Sequence, residues 1–210
     1  MKLYSYWRSG AAYRLRIALE LKGIDYETVP VNLLKGEHRS EEYLSLNPLG
    51  LVPALSLDNC TALTQSLAIL DWIDREYPTP PLLPSDSILR AKALAAGMTI
   101  AVDTHPIQNV GVVNHLKSDF RTDDQGGIKW MCHWMERGFL AFQKLCRPDT
   151  YFAFGDVPGY ADICLVPQLY NARRWGMDLT PYRILTTIET HCMMLPAFDA
   201  ARPENQPDAN

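Results

Sequence analysis

The sequence predicts an α/β domain followed by an all-α domain. Three observations carry that expectation. From Lys2 to Glu76, short β-rich runs alternate with segments of helical period. Tyr77–Pro84 then holds four prolines within seven residues, at 78, 80, 81 and 84. Such a run excludes a helix or a central strand and makes a stiff extended linker. Beyond it, every sustained apolar pattern has helical spacing. The expected division is therefore residues 1–80 and residues 85–210.

Lys2–Tyr6 alternates in the manner of a short strand. Ala12–Lys22 has Leu15, Ala18, Leu19 and Lys22 at helical spacing, with Arg14 and Arg16 on other faces. Gly23 follows where a helix C-cap favours positive φ. Tyr26–Val31, β-branched and aromatic, reads as a second strand, parallel to the first through a right-handed crossover. Lys35–Ser45 is a polar stretch without a predicted element. Leu51–Leu57 has strand character interrupted by Pro53, which implies an edge, a bulge or a cis bond. Asp58-Asn59 signals a turn, Thr61–Thr64 a return strand, and Leu67–Glu76 a helix. The order β-α-β-loop-β-β-α is thioredoxin-like. In the second domain, helical patterns cover Ile88–Phe120, broken at Thr104-His105-Pro106, then Trp130–Leu145, Gly159–Arg174 and Tyr182–Phe198. Arg202–Asn210 is polar, contains two prolines and reads as a tail.

The chain has 210 residues, 47% apolar and 21% charged, with a net charge of −4. That balance lacks the basic excess of a general nucleic-acid binder. No apolar run reaches membrane-spanning length, and the first residues lack a signal peptide's apolar core. Five scattered cysteines, an odd number, fit a reduced cytoplasmic chain better than a disulfide framework.

Two stretches could carry chemistry. Trp7-Arg8-Ser9-Gly10-Ala11 lies between the first strand and the first helix. A helix N-terminus gathers unpaired N–H groups and partial positive charge, and a serine hydroxyl there can donate to a thiolate. Together they would lower a bound thiol's pKa. Read locally, Ser9 is more simply a helix cap. The second stretch is Val52-Pro53, followed by Gln65-Ser66 at a helix start. A cis proline would turn Val52's backbone groups toward an extended peptide. Gln65-Ser66 suits a carboxylate, or is an ordinary cap.

These residues, in this order, make the chain resemble the cytosolic glutathione transferases, and among them the zeta class. That class carries the signature R-S-S-C-x-[WH]-R-V-R-I-A-L, which here reads Arg8-Ser9-Gly10-Ala11-Ala12-Tyr13-Arg14-Leu15-Arg16-Ile17-Ala18-Leu19. Further matches are Leu46-Asn47-Pro48, Pro106-Ile107-Gln108-Asn109, Leu165-Val166-Pro167-Gln168 and Asp178-Leu179-Thr180-Pro181-Tyr182. The resemblance implies a homodimer that uses glutathione to isomerise maleylacetoacetate, a small dicarboxylate, from cis to trans in tyrosine degradation. A similar bacterial branch isomerises maleylpyruvate, and some of its members also read R-S-G. Other readings are conjugation or dehalogenation of small α-halo acids, or a non-catalytic glutathione-binding module. Gly10 and Ala11 depart from the signature's second serine and its cysteine.

By the same resemblance, Ser9 would hold the glutathione thiolate. Val52, before a cis Pro53, would pair with the cysteinyl backbone. Gln65 and Ser66 would bind the γ-glutamyl carboxylate, and His38 the glycyl carboxylate. Gln108 and Asn109 would line the cleft from the helical domain. Arg8 and Arg174 would take the substrate's carboxylates, since guanidinium groups bind carboxylates in a bidentate fork.

Cys132-His133 and His191-Cys192 lack metal-ligand spacing, because neighbours on a helix face apart. Asp103, His105 and His115 read as polar helix positions. Gly159 stands three residues before Asp162, where a capping box would have Ser or Thr. Restoring serine there is expected to raise thermal stability.

Overall fold

The computed structural model describes every residue except Cys60, Pro148 and Asn210. The chain forms two compact units. One comprises Met1–Pro81 with Met193–Asn210, the other Leu82–Cys192.

The first unit is built on a four-stranded sheet. Its strands are β1 (Lys2–Ser5), β2 (Glu27–Pro30), β3 (Ala54–Ser56) and β4 (Ala62–Thr64), in the order β2-β1-β3-β4. β1 runs parallel to β2, with Leu3 opposite Thr28, and antiparallel to β3, with Leu3 opposite Leu55. The parallel pair is joined through α1 (Gly10–Lys22), which packs against α3 (Ser66–Glu76). Gly23 ends α1 at φ 62°, its N–H reaching back to Glu20 and Leu19, the expected left-handed cap.

Three features of this unit differ from the sequence-based expectation. α1 has no solvent face: Ala12 through Leu19 are all buried, Arg14 and Arg16 included. The guanidinium of Arg16 is accommodated there by donating to Ser5 Oγ, the Trp7 carbonyl and the Ala201 carbonyl, each at 3.0 Å. The polar stretch holds a 3-10 turn, Glu37–Arg39, and a short helix, α2 (Glu41–Leu46), capped by Ser40. Only Tyr43 of α2 is buried, too little to print an apolar stripe on the sequence. Lastly, the expected tail is part of the unit. After α9 (Pro196–Ala200), which packs on α1, a 3-10 turn at Pro203–Asn205 carries the chain onward to Asp208, which bonds Trp7. The domain boundary read from the linker therefore misses that residues 193–210 return to the first unit.

The second unit contains α4 (Ser87–Ala101), α5 (Val110–Phe120), α6 (Asp124–Leu145), α7 (Tyr160–Arg174) and α8 (Arg183–Met193, whose last residue falls in the first unit). α4 packs against α6 and α7. α7 is the central helix, with Tyr160 to Leu169 buried without a break. The expected interruption at Pro106 is a full separation between α4 and α5. Asp103 and His105 thus lie in turns, while His115 is helical.

Asp162 anchors the start of α7. Its carboxylate accepts from the Ala153 N–H at 2.8 Å and the Gly159 N–H at 2.9 Å. Burial pushes this carboxyl up to about 6, against the lowering effect of those bonds. Gly159 itself donates no side chain to the cap. A Cβ there would lie 2.6 Å from the Leu82 carbonyl oxygen, which accepts the Tyr160 N–H at 2.8 Å. Its backbone is extended, with φ −145°, so close approach and not dihedral freedom selects glycine. The expectation that serine improves this site is thereby reversed.

No helix among the described residues is long and apolar enough to cross a membrane.

Candidate active site

The loop joining β1 to α1 positions Arg8 and Ser9. The Ser9 N–H donates to the Tyr6 carbonyl at 2.9 Å, closing a tight turn. Ser9 Oγ accepts from the Ala12 N–H at 3.2 Å, so Ser9 is the N-cap of α1. Capping uses an oxygen lone pair and leaves the hydroxyl proton to be donated elsewhere. The cap and thiolate readings of Ser9 are therefore compatible. No acidic residue occupies the first turn of α1 to offset its partial positive charge.

Arg8 stacks its guanidinium 3.9 Å from the centre of the Trp7 ring. Stacking uses the planar face and leaves the N–H edge available. Among the described residues Arg8 makes no hydrogen bond or ion pair. Gly10 and Ala11, half-buried, occupy the positions of the signature's second serine and cysteine.

The Val52–Pro53 bond is cis, one of the three outcomes read from Pro53 and the one the resemblance implies. The approach to it is held by residues that sequence reasoning did not single out for a role. The Leu51 carbonyl accepts from Asn47 Nδ2 at 2.6 Å and from the Tyr43 hydroxyl at 2.7 Å. Burial pushes that phenol up to about 12, so it stays a donor. Asn47 is buried, which gives its place in Leu46-Asn47-Pro48 a physical reason. The N–H and C=O of Val52 bond to nothing among the described residues and remain open to an extended partner.

At the start of α3, Gln65 takes φ 68°, ψ 111°. A positive φ in a non-glycine residue is costly and recurs at ligand sites. Nothing in the local sequence announces it. Ser66 is buried, and its hydroxyl accepts from Arg14 Nη1 at 3.1 Å. With Arg14 as donor, the Ser66 proton is turned to another acceptor. No acidic residue stands in this first turn either. Hydroxyl, helix N-terminus and buried guanidinium together suit an anion. Arg14, which the sequence placed off the face of Leu15, Ala18 and Leu19 and gave no role, is the component that reading missed.

His38 lies half-buried in the 3-10 turn. Its Nδ1 is enclosed with no partner among the described residues, and burial, then Arg39, holds its pKa below the ordinary value. The ring is therefore a neutral donor near pH 7.

In the helical unit, Gln108 is buried and its amide is committed internally. Its Oε1 accepts from Asn171 Nδ2 at 2.8 Å, and its Nε2 approaches Gln168 Oε1 at 3.5 Å. Asn109 caps α5, accepting from the Val112 N–H at 3.1 Å. The structure thus gives both residues duties inside their own unit. Arg173 is fastened to Glu189 by two bonds of 2.5 Å, whereas Arg174 is exposed beside the Trp175 ring.

Cys132, Cys146 and Cys192 are free thiols; Cys60 lies outside the described residues. Burial raises the Cys132 and Cys192 thiols and pushes Cys146 up to about 11. Among the described residues, no group of three His, Cys, Asp or Glu side chains could hold a metal ion.

The family model for the N-terminal domain of glutathione S-transferases matches residues 1–75. A maleylacetoacetate isomerase of Pseudomonas aeruginosa PAO1 is 44% identical, covering 99% of this chain and 98% of its own length. A holo structure of maleyl pyruvate isomerase, described as a bacterial zeta-class glutathione S-transferase, superposes with TM-score 0.97 at 42% identity over the whole of both chains. The structure of a maleylacetoacetate isomerase from Methylobacterium extorquens AM1, with bound malonate and glutathione, gives TM-score 0.96 at 33% identity, again over both full lengths.

Proposed function

Because the chain belongs to the zeta class of the glutathione S-transferases, we propose that it isomerises maleylacetoacetate to fumarylacetoacetate with glutathione as cofactor. The observation that carries this reading is the pairing, in one loop, of a capping serine with a proton left to donate and a stacked arginine with open donors.

The first unit's residues fit glutathione. Gln65 and Ser66 offer a helix N-terminus and a hydroxyl to the γ-glutamyl carboxylate, with Arg14 setting the hydroxyl. Val52 offers main-chain groups to the cysteinyl backbone. His38 offers a neutral N–H to the glycyl carboxylate. Bound glutathione supplies a thiolate whose reversible addition to the conjugated double bond of a cis diacid allows rotation to the trans form.

Ser9 and the N-terminus of α1 favour the ionised sulfur by hydrogen bond and partial charge. Arg8 grips a substrate carboxylate in a fork and opposes negative charge developing along the conjugated system. Arg174 is assigned to the second carboxylate on the resemblance alone. A cytoplasmic homodimer belongs to the same reading, supported by the class and by the free thiols; sedimentation would test the assembly.

Maleylpyruvate is a second candidate substrate. It is favoured by Arg8-Ser9-Gly10, which some isomerases of that branch share, and by the likeness to the maleyl pyruvate isomerase structure.

The test is to mix purified protein, glutathione and each maleyl substrate, and follow loss of the cis isomer by absorbance. Turnover of maleylacetoacetate that requires glutathione is expected. Turnover of neither substrate sinks the reading. Ser9→Ala should lower kcat by roughly 10²–10³-fold, the scale for losing one preorganised donor; full activity in that variant removes Ser9 from the mechanism.

A further inference from the structure

The carboxy-terminal segment touches the Ser9 loop in three independent ways. The Trp7 N–H, adjacent to Arg8, donates to Asp208 Oδ2 at 3.0 Å. Arg16 donates through Nη2 to the Trp7 carbonyl and through Nε to the Ala201 carbonyl, so one buried guanidinium ties the loop to the end of α9. Ala209 packs on the apolar cluster of Tyr6, Trp7, Val31, Tyr43 and Val52. That cluster underlies both the loop and the cis-proline run. Asp208, 201 positions downstream, thus holds the peptide group before Trp7 directly, while Ala201 is linked to the one after it through Arg16.

We infer that the segment from Ala201 to Ala209 is a strap that sets the position of the Ser9 loop, with Asp208 as its positioning residue. The inference rests on the glutathione reading of Ser9.

The geometry favours positioning over bulk stability. Asp208 is half-buried, and its second oxygen, Oδ1, is enclosed with no donor among the described residues. A buried acceptor left unpaired is destabilising, which the single bond to Trp7 offsets only in part. What that bond does fix is the orientation of the Trp7 amide. Its neighbour Arg8 stacks on the Trp7 ring, and Ser9 closes the turn onto Tyr6. The carboxylate's negative charge would if anything oppose a nearby thiolate, so its use here is geometric. A displacement of about 1 Å in a group that orients a reacting atom can cost on the order of 10²-fold in rate.

The test compares the wild-type chain with Asp208→Ala and Asp208→Asn. Asparagine keeps one acceptor for the Trp7 N–H, while alanine keeps none. Three readouts are taken: hydrogen exchange at the Trp7 and Ser9 amides without glutathione, ultraviolet titration of the thiol of bound glutathione, and kcat/KM. In Asp208→Ala, exchange at both amides should quicken by about tenfold or more, the scale for losing one bond to a charged acceptor. The thiol titration should move up toward that of free glutathione, and kcat/KM should fall by about tenfold to 10²-fold. Asp208→Asn should return all three most of the way to wild type.

If Asp208→Ala leaves exchange and titration at wild-type values, the strap is overturned, even should its melting temperature fall. It is also overturned if asparagine is as damaging as alanine, since the charge and not the tie would then matter. A wild-type chain that neither binds nor uses glutathione would instead overturn the reading of Ser9, with the exchange result still reporting whether Asp208 holds the loop.

Discussion

Replacing Gly159 tests whether the structure or the local sequence rule governs the start of α7. By the rule, serine at an N-cap three residues before Asp162 completes a capping box and gains a few tenths of a kcal/mol over glycine. By the structure, the new Cβ meets the Leu82 carbonyl oxygen at 2.6 Å. That oxygen belongs to the main chain and is fixed by the Tyr160 N–H at 2.8 Å, with both residues buried. Relief therefore requires a backbone shift, and overpacking of this kind costs about 1–3 kcal/mol. Loss of the Tyr160 bond would add about 1 kcal/mol or more. The clash outweighs the cap by several-fold. The net loss of about 2 kcal/mol corresponds to a drop of roughly 4–8 °C for a chain of this size. Calorimetry on Gly159→Ala and Gly159→Ser should show both destabilised, with serine slightly the milder because only it can cap. A melting temperature for Gly159→Ser equal to or above the wild type refutes the close-approach argument.

Two further outcomes follow from the geometry. Burial raises the Asp162 carboxyl to about 6, so from about pH 4 upward the folded chain keeps a proton that the unfolded chain releases. Stability from this group is therefore greatest below that window and declines as pH rises through it. The melting-temperature advantage of wild type over Asp162→Asn should narrow between about pH 4 and pH 7, and an advantage that widens contradicts the raised value. Arg8→Ala should raise KM for a maleyl diacid by about tenfold to 10²-fold, the scale of a charged hydrogen bond, while glutathione affinity stays near wild type. Arg8→Lys should recover only part of this, because lysine lacks the fork; an unchanged KM in Arg8→Ala frees Arg8 of that role.

What the sequence made legible was what acts locally. Ser9 as a cap, Gly23 in the left-handed region, the cis bond before Pro53 and the helix start at Gln65-Ser66 each depend on a few neighbouring residues. What stayed hidden depends on distant partners. Arg14 and Arg16 look like solvent-facing charges until Ser66 and Ala201 are brought to them by the fold. The C-terminal segment has no periodic pattern because it is held by one carboxylate, one main-chain carbonyl and the packing of a single alanine, which leave little mark on hydropathy. Gly159 was correctly placed as a cap, but the sign of its substitution is set by Leu82, far upstream. Gln108 illustrates the same limit: the resemblance alone assigns it to the cleft, and no neighbouring residue shows that Asn171 and Gln168 hold its amide.

Ala11, and the raised thiols of Cys132, Cys146 and Cys192, have a practical consequence for a protein that handles electrophiles. Unsaturated diacids and halo acids are electrophiles that thiolates attack, and a protein thiolate beside them would itself be alkylated. Here the described cysteines with raised values stay protonated, and the one position in the signature loop that would expose a sulfur carries a methyl group. The nucleophile is instead a diffusible reagent drawn from outside the chain. A molecule of it that becomes permanently alkylated can leave and be replaced, and the catalyst survives the accident.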